Sequence, residues 1–428
     1  MRLGSLIAFV AAFATSVRAQ SVLQQLAKQM PSCAVACITE ELPKSQCATN
    51  LTSECLCTNV ALKTAVAACT LQTCSVYETL QTKNVNSQGC GEPVRYKGDQ
   101  FIIIGITGII FAVVAFALRM AASLGRDGRP LGWDDATMAV VVALAIPPAV
   151  FAPMLVDNGL GRDIWTLKAD QITNFLKLFF MGEIFYVLAL GISKISILFS
   201  FLRVFPAKDF RMQVYGVMGL SVAFTVAFFF ATTFQCIPVS FAWTTWDGLH
   251  EGRCNNVHLQ GWISAGINIA LDMIVMMLPL KHLWNLNMNL KKKIMVIAMF
   301  SVGIFVIFTS SIRLYSLVHF ANSKNLTWDY VEAGYWSLIE IDVSIFCGCM
   351  PAHRMVFVKA WQKLETTYNS SKAKSTNVSG NSNSTNSRVT TTSKMSRTSV
   401  KPIAGDESDF IPLVDVENES HSDQKSMA

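Results

Sequence analysis

Charged residues are scarce in this chain. Asp, Glu, Lys and Arg make up 15% of its 428 residues, hydrophobic residues make up 52%, and the mean hydropathy is +0.39. Soluble globular domains carry about 25% charged residues, so this composition excludes an ordinary soluble protein and indicates an integral membrane protein. The net charge of +6 is modest, and basic residues of membrane chains mark cytoplasmic loops. We therefore expect membrane lipid, and no nucleic acid, as a partner.

Catalytic and metal-binding motifs are also missing. The six histidines form no HExxH pair, and the sequence contains neither a Walker A loop nor a nucleophile elbow. No CxxC pair of the kind found in zinc sites occurs among the 12 cysteines. We therefore expect that the protein is not an enzyme and that it holds no metal.

The first residues are typical of a secretory signal peptide. Arg2 supplies a positive charge, Leu6 to Ala14 form a short apolar core, and Val17-Arg18-Ala19 resembles a cleavage site. The apolar core is too short to cross about 30 Å of hydrocarbon at about 1.5 Å per residue. We assign residues 1–19 to the signal peptide, so that the mature chain begins at Gln20 outside the cytosol.

Eight of the cysteines follow within one short stretch, at Cys33, Cys37, Cys47, Cys55, Cys57, Cys69, Cys74 and Cys90. An even number of cysteines in a secreted segment predicts disulfides rather than metal thiolates. Eight cysteines allow many pairings, and their spacing alone assigns none of them. The stretch predicts an extracellular disulfide-stapled domain over residues 20–96.

Seven apolar runs then follow, over residues 97–352. Their bounds are Phe101 to Leu118, Ala136 to Val156, Thr173 to Leu202, Val214 to Phe234, Trp262 to Leu280, Ile294 to Val318 and Ala333 to Met350. Each run is near the ~20 residues that a membrane-spanning helix needs, and only helices or closed barrels satisfy the backbone in lipid. The sequence therefore predicts an all-α protein with a seven-helix transmembrane bundle.

Basic residues set the orientation of this bundle. The predicted inner loops and the start of the tail contain Arg119, Arg126, Arg129, Arg203, Lys208, Arg211, Lys281, Lys291, Lys292, Lys293, Arg354 and Lys359. The predicted outer loops contain Arg162, Lys168, Arg253 and Lys324. The excess on one side predicts a multi-pass protein of the cell membrane with an extracellular N-terminus and a cytosolic C-terminus.

Residues 353–428 form the predicted cytosolic tail. His353 to Trp361 is basic and aromatic, and is predicted to lie as a helix along the inner membrane face. From Thr366 to Val400 the chain consists mainly of Ser, Thr, Asn and Lys and has too few apolar residues to fold. We predict that this Ser/Thr-rich part is disordered.

Charged residues inside the apolar runs are candidate functional residues, because a lone charge in a membrane costs several kcal/mol. Lys194 and Asp272 each lie nine residues from the predicted cytoplasmic ends of their helices, so both are about 13 Å deep and predicted to pair. Arg313 and Glu340 both fall in the outer half and form a second predicted pair. Such pairs either clamp the bundle or take part in ligand binding or switching, and both alternatives stay open.

Two further sets of residues suggest covalent chemistry outside the cytosol. Cys236 and Cys254 flank one outer loop and are predicted to form a disulfide. Asn50 and Asn325 begin Asn-x-Thr sequons on the predicted outer side, which predicts a glycoprotein.

The cysteine-rich stretch resembles the fungal CFEM domain. The resemblance lies in Pro31-Ser32-Cys33-Ala34, the Cys55-Leu56-Cys57 pair, and intervals of 3, 9, 7, 1, 11, 4 and 15 residues between the eight cysteines. It implies a helical basket with four disulfides, pairing Cys33 with Cys74, Cys37 with Cys69, Cys47 with Cys55, and Cys57 with Cys90.

Some CFEM domains bind haem through an Asp between the third and fourth cysteines. This chain has no Asp between Cys47 and Cys55, and Asn50 and Thr52 are the nearest candidates. Neither side chain offers the anionic oxygen that a ferric site uses. We therefore expect no cofactor and keep haem as the alternative.

The apolar half resembles the fungal rhodopsin-like seven-transmembrane family, which includes pathogenicity-associated CFEM receptors. The matching segments are Gly132-Trp133-Asp134-Asp135, Lys194 to Leu198, Arg203-Val204-Phe205, Phe234 to Pro238 with Trp243, Asp272 before Leu278-Pro279-Leu280, Arg313, Trp336 to Glu340, and Cys347-Gly348-Cys349. The seventh run has no lysine, so no Schiff base to retinal is expected there.

The resemblance implies a cell-surface receptor of the G-protein-coupled type. The CFEM domain would sense an unidentified extracellular ligand, and the basic inner loops would meet a heterotrimeric G protein. Two alternatives remain: a membrane-anchored haem or iron binder, and a membrane component of a secondary-metabolite or virulence pathway.

Overall fold

A computed structural model describes residues 28–49, 52–124, 130–283, 290–319, 321 and 323–376 of the chain. Of residues 281–283, 290–299 and 354–376 it describes the backbone alone. The predicted signal peptide, Asn50 and the tail beyond residue 376 lie outside the described residues.

The N-terminal module is a small helical unit. Its α-helices are α1 (Ser32–Glu41), α2 (Ser53–Thr58), α3 (Val60–Thr73) and α4 (Val76–Gly89), with 3-10 turns at Leu42–Lys44 and Gln46–Ala48. Side-chain oxygens of Thr52, Asn59 and Ser75 accept hydrogen bonds from the first turns of α2, α3 and α4. These caps begin each short helix at a defined residue, because they satisfy donors that a helix cannot satisfy itself.

Four disulfides join these helices. They pair Cys33 with Cys74, Cys37 with Cys69, Cys47 with Cys55, and Cys57 with Cys90, which are the four pairs that the resemblance implied. The buried apolar core of the module is small and includes Ala34, Leu62 and Val85. Disulfides supplement such a core, because a domain this small buries too little apolar surface by itself.

Seven long helices form the bundle. They are α5 (Gly98–Leu124), α6 (Trp133–Asp157), α7 (Ala169–Val204), α8 (Lys208–Thr233), α10 (Val257–Leu283), α11 (Leu290–His319) and α12 (Leu326–Thr376). The segment between α8 and α10 contains the two-residue strands β1 (Cys236–Ile237) and β2 (Arg253–Cys254), the short helix α9 (Phe241–Thr244) and a 3-10 turn at Thr245–Asp247. Another 3-10 turn, Ile164–Thr166, precedes α7.

α7 is the central helix of the bundle. It packs against α6, α8, α10 and α12, whereas α12 packs against α5, α6, α7 and α11. The N-terminal module sits on one end of the bundle, here called the module end. The opposite end, from which α12 continues to Thr376, is called the tail end.

Six of the seven long helices are long and apolar enough to cross a membrane, among the described residues. α12, which contains the seventh predicted run, falls short because Glu340 and Asp342 interrupt its apolar residues. Both carboxyl groups are buried in the bundle, where lipid does not contact them. Local hydropathy therefore underestimates the ability of α12 to cross a membrane, because the polar side chains of this helix face the other helices.

The first residues of the predicted disordered segment, Thr366 to Val400, are helical, because α12 runs without a break from Leu326 to Thr376. The rest of that segment lies outside the described residues. Residues 366–376 therefore extend the last bundle helix, since a helix already nucleated by packing adds further residues at low cost.

Candidate functional site

The N-terminal module packs directly on the module end of the bundle. Helix α4 contacts the 3-10 turns Ile164–Thr166 and Thr245–Asp247. Leu80 of α4 packs with Trp165 and Trp246 against one buried cluster that contains Ile164. The Lys83 ammonium lies 5.1 Å from the centre of the Trp165 ring. Trp246 in turn donates a hydrogen bond of 3.0 Å to Thr173 Oγ1, on the first turns of α7. The module is thus joined to α7 through a short chain of side chains.

Asp163 is the centre of a second connection, which we call the junction. This buried carboxylate accepts hydrogen bonds from the Arg95 guanidinium and, at 2.7 Å, from Asn325 Nδ2. Arg95 also lies 4.4 Å from the Trp328 ring. The junction therefore ties the segment between module and α5 to the loop before α7 and to the start of α12.

Backbone hydrogen bonds reinforce the junction. Lys97 N donates to Gly161 O at 3.0 Å, and Gly161 N donates to Thr327 O at 2.8 Å. Gly161 has a φ of +87°, and a β-carbon there would overlap the backbone of Gly98. Only glycine permits this close approach, because other residues rarely adopt positive φ and would clash.

The Asn325 sequon belongs to the same junction. Asn325 Oδ1 accepts from Ile164 N at 2.9 Å, its Nδ2 donates to Asp163, and Thr327 Oγ1 donates to Arg162 O at 2.8 Å. Thr327 is fully buried. This geometry disfavours a glycan on Asn325, because the amide nitrogen that would carry it faces Asp163. Asn50, the other predicted sequon, lies outside the described residues.

Thr52, the haem candidate within the described residues, does not fit a ferric site. Thr52 Oγ1 accepts from Cys55 N at 3.3 Å as the cap of α2, and Glu54 is exposed to solvent. Glu78 lies close to the sulfurs of Cys33 and Cys74, but those sulfurs form a disulfide and are no thiolate ligands. No carboxylate of the described interval between Cys47 and Cys55 replaces the missing Asp.

Within the bundle, Lys194 of α7 and Asp272 of α10 form an ion pair. Lys194 Nζ lies 2.5 Å from Asp272 Oδ1, and Asn268 Nδ2 donates to Asp272 Oδ2 at 3.4 Å. Lys194 is 2% exposed. The structure thus joins the two residues that their equal depth predicted to meet.

Arg313 of α11 and Glu340 of α12 form the second ion pair, nearer the module end. Arg313 Nε lies 3.0 Å from Glu340 Oε2, and the guanidinium lies 4.8 Å from the Tyr186 ring. Glu340 is fully buried and accepts from Tyr186 at 2.6 Å, from Asn268 at 2.9 Å and from Ser310. Asn268 therefore connects the two ion pairs into one polar network spanning α7, α10, α11 and α12.

Glu183 and Asp342, two further charged residues of the apolar runs, have different surroundings. Glu183 lies within electrostatic range of Arg313. Asp342 has no ion-pair partner among the described residues and lies against Gly108 of α5, where a β-carbon would overlap its carboxylate.

A third charged cluster, at the tail end, was missed by the sequence analysis. Arg119 was predicted in an inner loop, but it is fully buried inside α5 and binds Asp135 Oδ1 at 2.8 Å and Asp134 Oδ2 at 2.6 Å. Its Nη1 also donates to Gly348 O of α12 at 2.5 Å. Arg203, likewise predicted as a loop charge, is the last basic residue of α7 and donates to Asp134 Oδ1 at 3.0 Å.

The tail-end cluster fastens four helices. Arg119 comes from α5, the two aspartates from the first turn of α6, Arg203 from α7, and the carbonyl of Gly348 from α12. Both aspartates are buried, and the negative groups also suit the N-terminus of α6. The motif Gly132-Trp133-Asp134-Asp135 pointed to these residues, but it named no partner for them.

Cys236 and Cys254 form the fifth disulfide. They are also register partners in the antiparallel β1–β2 pair, so the bond closes the loop that presents Trp246 to the module.

Comparison with known proteins places both halves of the chain. Residues 118–359, more than half of the chain, match the model of the fungal rhodopsin domain. The chain belongs to this family. Residues 26–91 match the CFEM domain, so this family member combines a CFEM module with the fungal rhodopsin domain. No solved structure matches the chain.

Curated relatives match this fungal rhodopsin protein in part. A SAT4 family membrane protein of Emericella nidulans is 29% identical over 240 residues, which is 55% of this chain and 60% of the relative. Receptor GIN3 of Arthrobotrys oligospora is 22% identical over 201 residues, 46% of this chain and 47% of the relative. Fugralins biosynthesis cluster protein 2 of Gibberella zeae is 26% identical over 196 residues, which is 44% of this chain and 48% of the relative. The chain thus matches about half of each relative's length.

Proposed function

We propose that this membrane protein is a cell-surface receptor of the G-protein-coupled type. The CFEM module faces the outside and senses an extracellular ligand, and the tail end faces the cytosol and meets a heterotrimeric G protein. The disulfides fit an oxidising compartment. A relative named as a receptor supports the same role.

The observation that carries this proposal is the attachment of the module to the bundle. The junction at Asp163 holds the start of α12, and α12 contains both Glu340 in the polar network and Gly348 in the tail-end cluster. A displacement of the module therefore acts on a helix that reaches the opposite end of the bundle. A passive anchor would need no such attachment.

Coupling requires that the ligand contact two bundle arrangements differently. In this proposal the contacts of the polar network differ between the two arrangements. Because each contact joins charged groups of different helices, rearranging it changes the relative positions of those helices.

Nucleotide exchange tests the proposal. The full chain in lipid nanodiscs is mixed with a purified fungal heterotrimeric G protein, and binding of a non-hydrolysable GTP analogue is followed without added ligand. We expect exchange above that of empty nanodiscs, altered by Asp163→Asn and unaltered by the exposed-surface control Leu249→Ala. Exchange equal to that of empty nanodiscs for all three proteins would contradict G-protein coupling.

A second candidate is a membrane component of a secondary-metabolite pathway. Four relatives carry names of biosynthesis cluster proteins, and this observation favours the candidate. Deletion of the gene followed by metabolite profiling separates the two functions: loss of one metabolite class with normal transcription of its genes favours a pathway component, whereas lost transcription favours a receptor.

A further inference from the structure

A small cavity lies on the tail-end side of the Lys194–Asp272 pair, between α7, α10, α11 and α12. Its volume is about 60 Å³. A water molecule occupies about 30 Å³ of liquid, and a cavity that holds benzene measures about 150 Å³. The space is therefore large enough for water and smaller than the cavity that holds benzene.

Polar groups face this cavity from three helices. They are Ser193, Lys194, Ser200, Asp272, Ser344 and Cys347, and the remaining wall is apolar. Ser200 is 2% exposed, and its Oγ has no hydrogen-bond partner among the described residues. A buried hydroxyl without a partner is rare, because native proteins satisfy such groups with protein or ordered water.

Lys194 has unused donors at the same cavity. An ammonium carries three N–H groups, and within the described part of the chain Nζ donates to Asp272 Oδ1 alone. The two remaining N–H groups need acceptors, which the apolar wall residues do not provide. Water accepts and donates, so water in the cavity supplies acceptors for the ammonium and a partner for the Ser200 hydroxyl.

A bound ion fits the cavity less well than water. The Lys194–Asp272 pair is neutral overall, so it attracts neither a bare cation nor a bare anion. Transfer of an ion into a mostly apolar space carries a large desolvation cost that this neutral pair does not offset.

We propose that the cavity binds a small cluster of water molecules, which hydrogen-bond to Lys194, Asp272 and Ser200. This inference does not depend on the receptor function. It assigns different roles to the two ion pairs of the polar network.

The two ion pairs differ in what surrounds their carboxylates. Glu340 is fully buried and is surrounded by protein donors from Tyr186, Ser310 and Asn268 as well as by Arg313. The Lys194 pair instead adjoins water, which competes for both charges and lowers the cost of separating them. Arg313–Glu340 is therefore the fixed clamp of the network, and Lys194–Asp272 is the pair that opens.

Hydroxyl-radical footprinting of the full chain in nanodiscs tests the proposal. X-ray radiolysis produces radicals from bound water, and these oxidise neighbouring sulfur atoms. Met276 and Cys347 line the cavity, whereas Met138 and Cys349 are fully buried in a different cluster. We expect Met276 and Cys347 to be oxidised at doses that leave Met138 and Cys349 intact. Equal resistance of all four residues would overturn the proposal.

A cavity-filling variant supplies the matched comparison. Ser200→Leu, with Ser200→Val as the smaller replacement in case the first does not fold, removes the hydroxyl and displaces the water. Oxidation of Met276 and Cys347 should then fall to the rate of Met138 and Cys349. Ser221→Val changes a buried serine of α8 that does not line the cavity and should leave the oxidation unchanged. Continued oxidation in the Ser200 variants would refute water in this cavity.

Discussion

Removal of the Glu340 carboxylate should be the most damaging change in the polar network. Glu340→Met leaves the Arg313 guanidinium buried without its carboxylate, and it removes the acceptor of Tyr186, Ser310 and Asn268. Breaking a buried ion pair by removing one partner costs about 3–5 kcal/mol. Each donor left without a partner adds about 1–3 kcal/mol, although such costs are not fully additive. We expect a loss of at least about 5 kcal/mol in the free energy of unfolding.

Asp272→Met is the matched comparison. It also leaves a buried cation, but Lys194 faces the cavity, so water partly replaces the lost carboxylate as an acceptor. We expect a loss of about 3 kcal/mol or less. The free energies are measured by reversible unfolding of purified protein in mixed micelles with increasing SDS. Glu340→Gln keeps the side-chain volume and one acceptor, so its free energy of unfolding should lie between those of the unmodified protein and Glu340→Met.

Equal losses for Glu340→Met and Asp272→Met would refute the distinction between a fixed and a hydrated pair. A loss below about 1 kcal/mol for Glu340→Met would refute the clamp itself, since surface changes lie in that range.

Three further changes address the other connections. Arg119→Met should destabilise the protein by about 3–5 kcal/mol in the same SDS titration, because it removes the buried guanidinium that binds both Asp134 and Asp135. The exposed Arg211→Met should change stability by less than about 0.5 kcal/mol. Asn325→Gln should leave the electrophoretic mobility after expression in a fungal host unchanged, since the amide faces Asp163; a mobility shift equal to that of deglycosylation would contradict this. Hydrogen bonds from the Ser75 backbone and side chain hold the pKa of Glu78 below its ordinary value of 4.5, so its cap on α4 is complete above that pH and is lost as the pH falls through the lowered pKa. The protection of α4 amides against hydrogen exchange, corrected for the intrinsic pH dependence of exchange, should fall in that acidic range, and Glu78→Gln should remove this fall.

The sequence predicted the two interior ion pairs because depth in a membrane follows from residue counting. Each helix residue advances about 1.5 Å, so Lys194 and Asp272 reach the same level whatever the details of packing. Arg313 and Glu340 followed from the same counting.

The tail-end cluster was not predicted, because a basic residue at the end of an apolar run has two interpretations. Arg119 and Arg203 satisfied the excess of basic residues expected in inner loops. Their burial depends on how the start of α6 folds back against α5 and α7, which neither hydropathy nor residue spacing reports.

The attachment of the module to the bundle could not be predicted from the sequence either. Leu80, Trp165 and Trp246 come from three distant segments and follow no helical period, so no pattern identified them as an interface. The four disulfides of the module followed from its resemblance to the CFEM domain, since cysteine spacing alone leaves their pairing open.

Amide hydrogen exchange of the full chain, compared with Trp165→Ala, tests most directly whether the module acts on the bundle. Trp165→Ala removes the ring that lies under Lys83 and that packs against the same cluster as Leu80. Leu249→Ala, at an exposed residue of the neighbouring loop, is its control. We predict faster exchange both in the loops of the module end and in α12 around Gly348, because α12 connects the two ends. Faster exchange confined to the module end, with α12 unchanged, would contradict the account and indicate that the module is attached to the bundle without acting on it.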